Sequence, residues 1–254
     1  MRYLKPGATA VLLIVLSYCT KPVNEMALEL SETDISRGEP LIAKVANAPA
    51  GARFEWQFPY RANVLEFSAD SSIVKLTFSD LGINSYDLCV KVYPGHDTAA
   101  ITTFCSEVKT NAEKFEPPAS IPDNQIKSLA GDRLTLQPVL YSTDSTLNFI
   151  VHTARNYTCL NSYLLYTNAS TTSNITISFN GLWLRDACEP VNMPAVSFVH
   201  TYNYYKDGNY PVEINFDNKV YKGSLTVSKY QGRFEFNWPY TDGVLIDPKV
   251  VTRY

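Results

Sequence analysis

The sequence predicts an all-β chain, and three observations carry that expectation. Nowhere do apolar residues recur at i, i+3, i+4 and i+7 over three turns, the stripe an amphipathic helix needs. Alternation with period two instead recurs throughout, in runs bounded by Gly, Pro, Asn or Asp. Composition agrees: 45% apolar residues and 13% aromatics, with only 11 Gly and 15 Pro in 254 residues, suit packed cores rather than a disordered or collagen-like chain. The length allows one large or two small domains.

The beginning of the chain carries a separate signal. Arg2 and Lys5 precede a ten-residue apolar run, Ala8 to Ser17. Ten residues rise only about 15 Å as a helix, half the thickness of a bilayer core, so the run reads as a signal peptide rather than a membrane span. Leu16-Ser17-Tyr18-Cys19 at its end resembles the lipobox of bacterial lipoproteins, in which the Cys becomes the acylated first residue. The resemblance implies a signal peptide over residues 1–18, lipid on Cys19 and an N-terminal tether over residues 19–25. It also implies attachment to the bacterial outer membrane, at its periplasmic or its cell-surface face. The alternative is a plain secretory signal cut elsewhere. With Cys19 acylated, Cys89, Cys105, Cys159 and Cys188 remain, an even set in an exported chain, which reads as two disulfides. The triplets at Asn156, Asn168 and Asn174 match the N-glycosylation pattern, but beside a bacterial signal segment they read as chance matches.

Lys109 to Asp123 lacks alternation and holds three prolines, as a semi-extended linker does. It divides the chain into a first domain over residues 26–110, a linker over 111–122 and a second domain over 123–254. In the first domain Phe54, Trp56 and Phe58 alternate with Glu55 and Gln57. Val74, Leu76 and Phe78 alternate with Lys75 and Thr77, and Tyr86, Leu88, Val90 and Val92 with Asp87, Cys89 and Lys91. Each run is expected to bury one face. A strand with a central Trp, an alternating strand, Asp80-Leu81-Gly82, Tyr86 and a final alternating strand resembles a PKD-type or related immunoglobulin-like domain. That resemblance implies a β-sandwich in which Trp56 fills the space between two sheets and Tyr86 is structural.

Cys89 falls on the face opposite Leu88 and Val90, so it should point outward. Cys89 and Cys105 are equidistant from Asp97, so a hairpin centred on Pro94-Gly95-His96-Asp97 sets the two cysteines opposite each other and Val90 opposite Phe104. A cross-strand disulfide follows, and closing its loop contributes on the order of 3 kcal/mol in the chain-entropy account. In the second domain Asp207-Gly208-Asn209-Tyr210 precedes alternating Val212, Ile214 and Phe216, which resembles the tyrosine corner of immunoglobulin-like folds and makes Tyr210 a structural candidate. Turns at Asp217-Asn218 and Gln231-Gly232 then predict a three-strand meander through Tyr221 to Val227 and Phe234 to Trp238. The pairing of Cys159 with Cys188 rests on parity and on their sharing a domain. The fold expected is two immunoglobulin-like β-sandwich domains in tandem after a lipoprotein signal peptide.

Chemistry is sparse. Charges of 22 Lys+Arg against 25 Asp+Glu are scattered singly and form no basic face for nucleic acid. His96, His152 and His200 sit in no metal-binding spacing, so no metal site is expected. There is no G-x-S-x-G and no phosphate-binding glycine loop, and neither a catalytic constellation nor a cofactor is expected. Asp186, Glu189, Asp242 and Asp247 lie near predicted loops, where a suitably spaced pair would serve glycoside hydrolysis and solvated carboxylates are the plain alternative.

The second domain holds 12 of the 17 tyrosines, and Phe198, His200, Tyr202 and Tyr204 share one face of a predicted strand, with Thr201 and Asn203 opposite. Exposed, Tyr202, Tyr204 and Trp183 would stack on sugar rings. Buried, the stripe is a sheet interior, with Thr201 and Asn203 facing solvent. The function expected is a non-enzymatic binding, structural or adhesion module, membrane-bound through its lipid, with a protein or glycan partner. The alternatives are carbohydrate capture by the second domain and an envelope glycoside hydrolase.

Overall fold

The structure, a computed structural model, describes residues 25–78, 83–95, 101–140, 146–160, 162–184 and 191–252. It is all-β: among the described residues strands account for nearly every regular element, beside one 3-10 turn at Asp123–Gln125. Residues 26–114 supply β1 (Ala27–Leu30), β2 (Asp34–Arg37), β3 (Leu41–Ala46), β4 (Arg53–Gln57), β5 (Ala62–Phe67), β6 (Ile73–Phe78), β7 (Asn84–Tyr93) and β8 (Thr102–Lys114). They form two four-stranded sheets, ordered β1-β3-β6-β5 and β2-β8-β7-β4. Between the sheets lies a core of Ile35, Leu41, Ala43, Val74, Leu76, Phe78, Leu88 and Val108. A second cluster around Val45, Val90 and Val92 extends it. Trp56 is half-buried and packs on both clusters, its indole N–H donating to the Ser71 carbonyl at 2.9 Å. Tyr86 stacks on Phe78 with ring centroids 5.2 Å apart.

The β7–β8 register is the expected one, Cys89 opposite Cys105 and Val90 opposite Phe104. A disulfide joins the two cysteines, with Cα atoms 4.1 Å apart. Leu88 and Val90 are buried while Cys89 is not, so the link lies outside the core and ties the strands from their outer face. His96 and Asp97 at the expected turn, and Asp80-Leu81-Gly82, lie outside the described residues. β8 continues to Lys114 beside β2, past residue 110.

The remainder supplies β9 (Ile126–Lys127), β10 (Leu134–Leu140), β11 (Thr146–Tyr157), β12 (Ser162–Asn168), β13 (Ile175–Leu184), β14 (Met193–Tyr204), β15 (Gly208–Phe216), β16 (Lys219–Ser228), β17 (Arg233–Asn237), β18 (Val244–Ile246) and β19 (Val250–Thr252). One sheet is ordered β14-β11-β10-β18. The other runs β12-β13-β15-β16-β17-β19, with β9 paired to β13. The expected meander is β15-β16-β17. Its first turn places Asp217 at φ 49° and Asn218 at φ 56°, the left-handed pair that a two-residue hairpin matching the strand twist requires. The core holds Phe149, Val199, Phe236 and Trp238 among others. Trp238 donates to the Val244 carbonyl at 2.8 Å, and its ring lies so close to Gly223 that a Cβ there would come within 2.5 Å.

Where the edges β12 and β14 meet, side chains close the seam. The Ser197 hydroxyl accepts from Leu164 N at 2.8 Å and donates to Leu164 O at 3.0 Å, and Tyr166 donates to the Phe198 carbonyl at 3.1 Å. The Tyr210 hydroxyl accepts from Lys206 N and donates to Lys206 O, both at 2.9 Å, pinning the corner that leads into β15. Tyr210→Phe removes both bonds, and a loss of about 1–2 kcal/mol in urea-unfolding free energy is expected. An unchanged midpoint would show that the corner holds without them.

Two expectations about exposed faces are corrected. All six residues of β6 are buried, including Lys75 and Thr77, which alternation assigns to solvent. Thr201, also expected on an open face, is 1% exposed and donates to the Leu147 carbonyl. The physical reason for the first is that the outer face of β1-β3-β6-β5 lies against the β11–β14 face of the second half. Ile42 and Ile73 pack there with Leu160 and Met193, and Leu65 packs with Ile150, Val196 and Phe198. A Glu66–His152 contact at 3.1 Å and an edge-on Phe115–Tyr163 pair at 5.2 Å span the same boundary.

Candidate functional site

Apolar packing leaves the β11–β14 boundary closed, so open concave surface has to be sought elsewhere. The loop before β10 provides it. Asp132 is 5% exposed, and its carboxylate is fully engaged. Oδ1 accepts from Arg133 N at 2.7 Å and Arg155 N at 3.1 Å, and Oδ2 accepts from the Tyr157 hydroxyl at 2.6 Å. Burial, reinforced by the bond to the Asp132 carboxylate, raises the Tyr157 phenol pKa well above its ordinary value, so Tyr157 stays a donor at any physiological pH. The Arg155 guanidinium donates to the carbonyls of Ala130 and Gly131, and Gly131 N donates to Asp217 Oδ2 at 3.2 Å. A loop that would otherwise be loose is thereby held from β11 on one side and the β15–β16 turn on the other.

A cleft lies on each side of Asp217. The first, of about 450 Å³, runs between Asp132, Arg133, Lys219, Tyr221 and Asp242. The second, of about 540 Å³, is bordered by Asp123, Ile126, Asn180 and Asn218. Arg133 Nε lies 4.0 Å from Asp242 Oδ1, and both side chains are largely exposed, so this pair is available to a ligand. Behind the first cleft the rings of Tyr221, Tyr240 and Trp238 form a chain, with centroid spacings of 4.9 and 5.2 Å. Gly243 closes tightly on it: at φ 75°, a Cβ there would clash with the Tyr221 hydroxyl. Tyr221 and Trp238 belong to the core and Tyr240 is half-buried, so the rings back the cleft while its exposed surface is polar, suited to a hydroxyl-rich or charged ligand held by several directional bonds.

The residues singled out from sequence are scattered relative to this groove. Asp242 lines it. Asp247 N donates to the Leu136 carbonyl at 3.1 Å. Asp186, Glu189, Cys188 and Cys19 lie outside the described residues. Cys159 is 2% exposed and disulfide-bonded. Trp183, expected on a sugar-stacking platform, is 8% exposed: β9 pairs alongside it, and its N–H donates to Gln125 Oε1 at 3.3 Å. Phe198 and His200 are buried where the two halves meet, ring centroids 4.6 Å apart. Tyr202 and Tyr204 continue the same strand, β14, and their side chains are not described. Among the described residues no group of three or more His, Cys, Asp or Glu is placed to hold a metal ion.

Sequence reasoning assigned no site role to Asp132, Arg133 or Arg155, and it read Asp217 and Tyr221 only as turn and strand residues of the meander. The one local signal was Ala130-Gly131-Asp132-Arg133, a turn-like tetrapeptide opening an alternating strand. No protein-family model matches the chain, and no curated protein matches it. What the structure defines is a class, an all-β protein compatible with an immunoglobulin-like β-rich domain, carrying a polar groove beside the β15–β16 turn.

Proposed function

We propose that the chain is a lipid-anchored protein of the bacterial envelope, built from two immunoglobulin-like β-sandwich domains, that binds its partner without catalysing a reaction. The sequence supports the anchor through the signal segment and the lipobox-like tetrapeptide ending at Cys19. The observation that carries the binding reading is the groove around Asp217: its loop is immobilised through Asp132, while Arg133 and Asp242 remain open to solvent. Rigid walls with free charged groups suit recognition, because little ordering entropy is lost when a ligand arrives.

A hydroxyl-rich glycan is the partner class the groove favours, because the exposed Arg133 and Asp242 side chains at its mouth supply directional hydrogen-bonding groups of both kinds, donor and acceptor. Two measurements test the reading. Growth with a palmitate analogue is expected to label the wild-type chain and to leave Cys19→Ser unlabelled and in the aqueous detergent phase. Labelling of Cys19→Ser, or none of the wild type, would remove the anchor. On a glycan array the full chain is expected to bind, and Arg133→Ala to lose at least tenfold in affinity with an unchanged unfolding midpoint. A blank array with retained capture of an envelope protein would move the partner to protein. Turnover of a polysaccharide abolished by Asp242→Asn would replace the binding reading with the hydrolase alternative.

A further inference from the structure

A small, mostly enclosed cavity lies where the two halves of the chain meet, and its polar lining is unusual. Pro40, Ile42, Phe115, Leu160 and Tyr163 make an apolar wall, into which, among the described residues, Lys75 brings a charge and Ser162 an aliphatic hydroxyl. Lys75 is 2% exposed and Ser162 is 4% exposed. Neither Lys75 Nζ nor Ser162 Oγ has a hydrogen-bond partner among the described residues. The carboxylate that acts on Lys75 is that of Glu66, its cross-strand neighbour, but it is turned to His152 Nδ1 at 3.1 Å. A buried ammonium group and a buried hydroxyl, both short of an acceptor, therefore share a single cavity of about 10 Å³, room for about one water-sized particle.

We propose that this cavity is a binding site for one small monovalent anion of chloride size, held between Lys75 Nζ and Ser162 Oγ at the junction of the two halves. An ammonium group only donates, and a hydroxyl is free to donate, so the occupant both groups require is an acceptor. A halide accepts from both and also cancels the buried charge, whereas a water molecule leaves that charge in an apolar surround. The flexible four-carbon stem of Lys75 lets Nζ withdraw to admit an ion somewhat larger than water. Because Lys75 comes from β6 and Ser162 from β12, the ion would stabilise the junction itself: its occupancy requires the halves to be docked. Burial lowers the Lys75 pKa to about 8, so the group is a cation and attracts an anion at neutral pH.

The test is halide-dependent stability of the full chain at pH 7 and constant ionic strength, with gluconate exchanged stepwise for chloride. The unfolding midpoint of the wild type is expected to rise with the logarithm of chloride concentration. Lys75→Met is expected to show no rise, and Ser162→Ala a rise that begins at higher chloride. Crystals of the wild type soaked in bromide should show an anomalous peak between Nζ and Oγ, a readout that does not depend on either variant folding. A midpoint indifferent to chloride, or a cavity holding only water in bromide-soaked crystals, would overturn the proposal.

Discussion

In halide-free buffer at pH 7, Lys75→Met is expected to be more stable than the wild type by on the order of 3 kcal/mol. The reason is linkage. Burial in the junction lowers the Lys75 pKa from 10.5 to about 8, an effect that Glu66 offsets only in part. Between pH 8 and 10.5 the unfolded chain therefore holds a proton that the folded chain has released, and stability rises with pH through that window. Below pH 8 the folded protein carries a desolvated cation, and a shift of about 2.5 units at about 1.4 kcal/mol per unit sets the size of the deficit. Met has a similar shape and no charge. The measurement is urea unfolding of both proteins from pH 7 to 10.5, where their difference should shrink toward zero as Lys75 deprotonates in the unfolded wild type too. A variant less stable than the wild type at pH 7 would mean that Lys75 has a counter-charge in solution.

Phe198→Ala is expected to cost about 3–5 kcal/mol, the range for emptying a buried aromatic site. Phe198 is 1% exposed and packs with Leu65, Ile150 and Val196, a cluster drawn from both halves. The loss should therefore loosen the junction as well as the sheet. Limited proteolysis within residues 115–122 is the readout, with cleavage expected to accelerate in the variant while the disulfide-tied β7–β8 pair stays intact. A loss below about 1 kcal/mol, with unchanged cleavage, would show that the cluster contributes little to docking.

Much of the fold is legible in the chain because its signals are local. The β7–β8 register follows from two cysteines placed symmetrically about a turn, and the β15-β16-β17 meander from alternation broken by Asp217-Asn218 and Gln231-Gly232. The β6 segment shows where such reasoning stops. Its alternation of Val74, Leu76 and Phe78 with Lys75 and Thr77 looks like a strand with one wet face, yet both faces are buried. Nothing within six residues announces that Leu160 and Met193 will cover the second face. The groove was hidden for the same reason: Gly131 meets Asp217 and Asp132 meets Tyr157 across long stretches of chain. The stripe from Phe198 to Tyr204 was visible as a pattern, but whether it meets solvent, a core or another part of the protein depends on partners that periodicity does not encode.

The double-sided burial of β6 has a practical consequence for anyone dissecting this molecule. A fragment truncated within residues 115–122 would bare Ile42, Leu65 and Ile73 as a greasy strip beside Lys75. Such a piece should self-associate or precipitate, so its behaviour in a binding assay would report on the cut rather than on the intact protein.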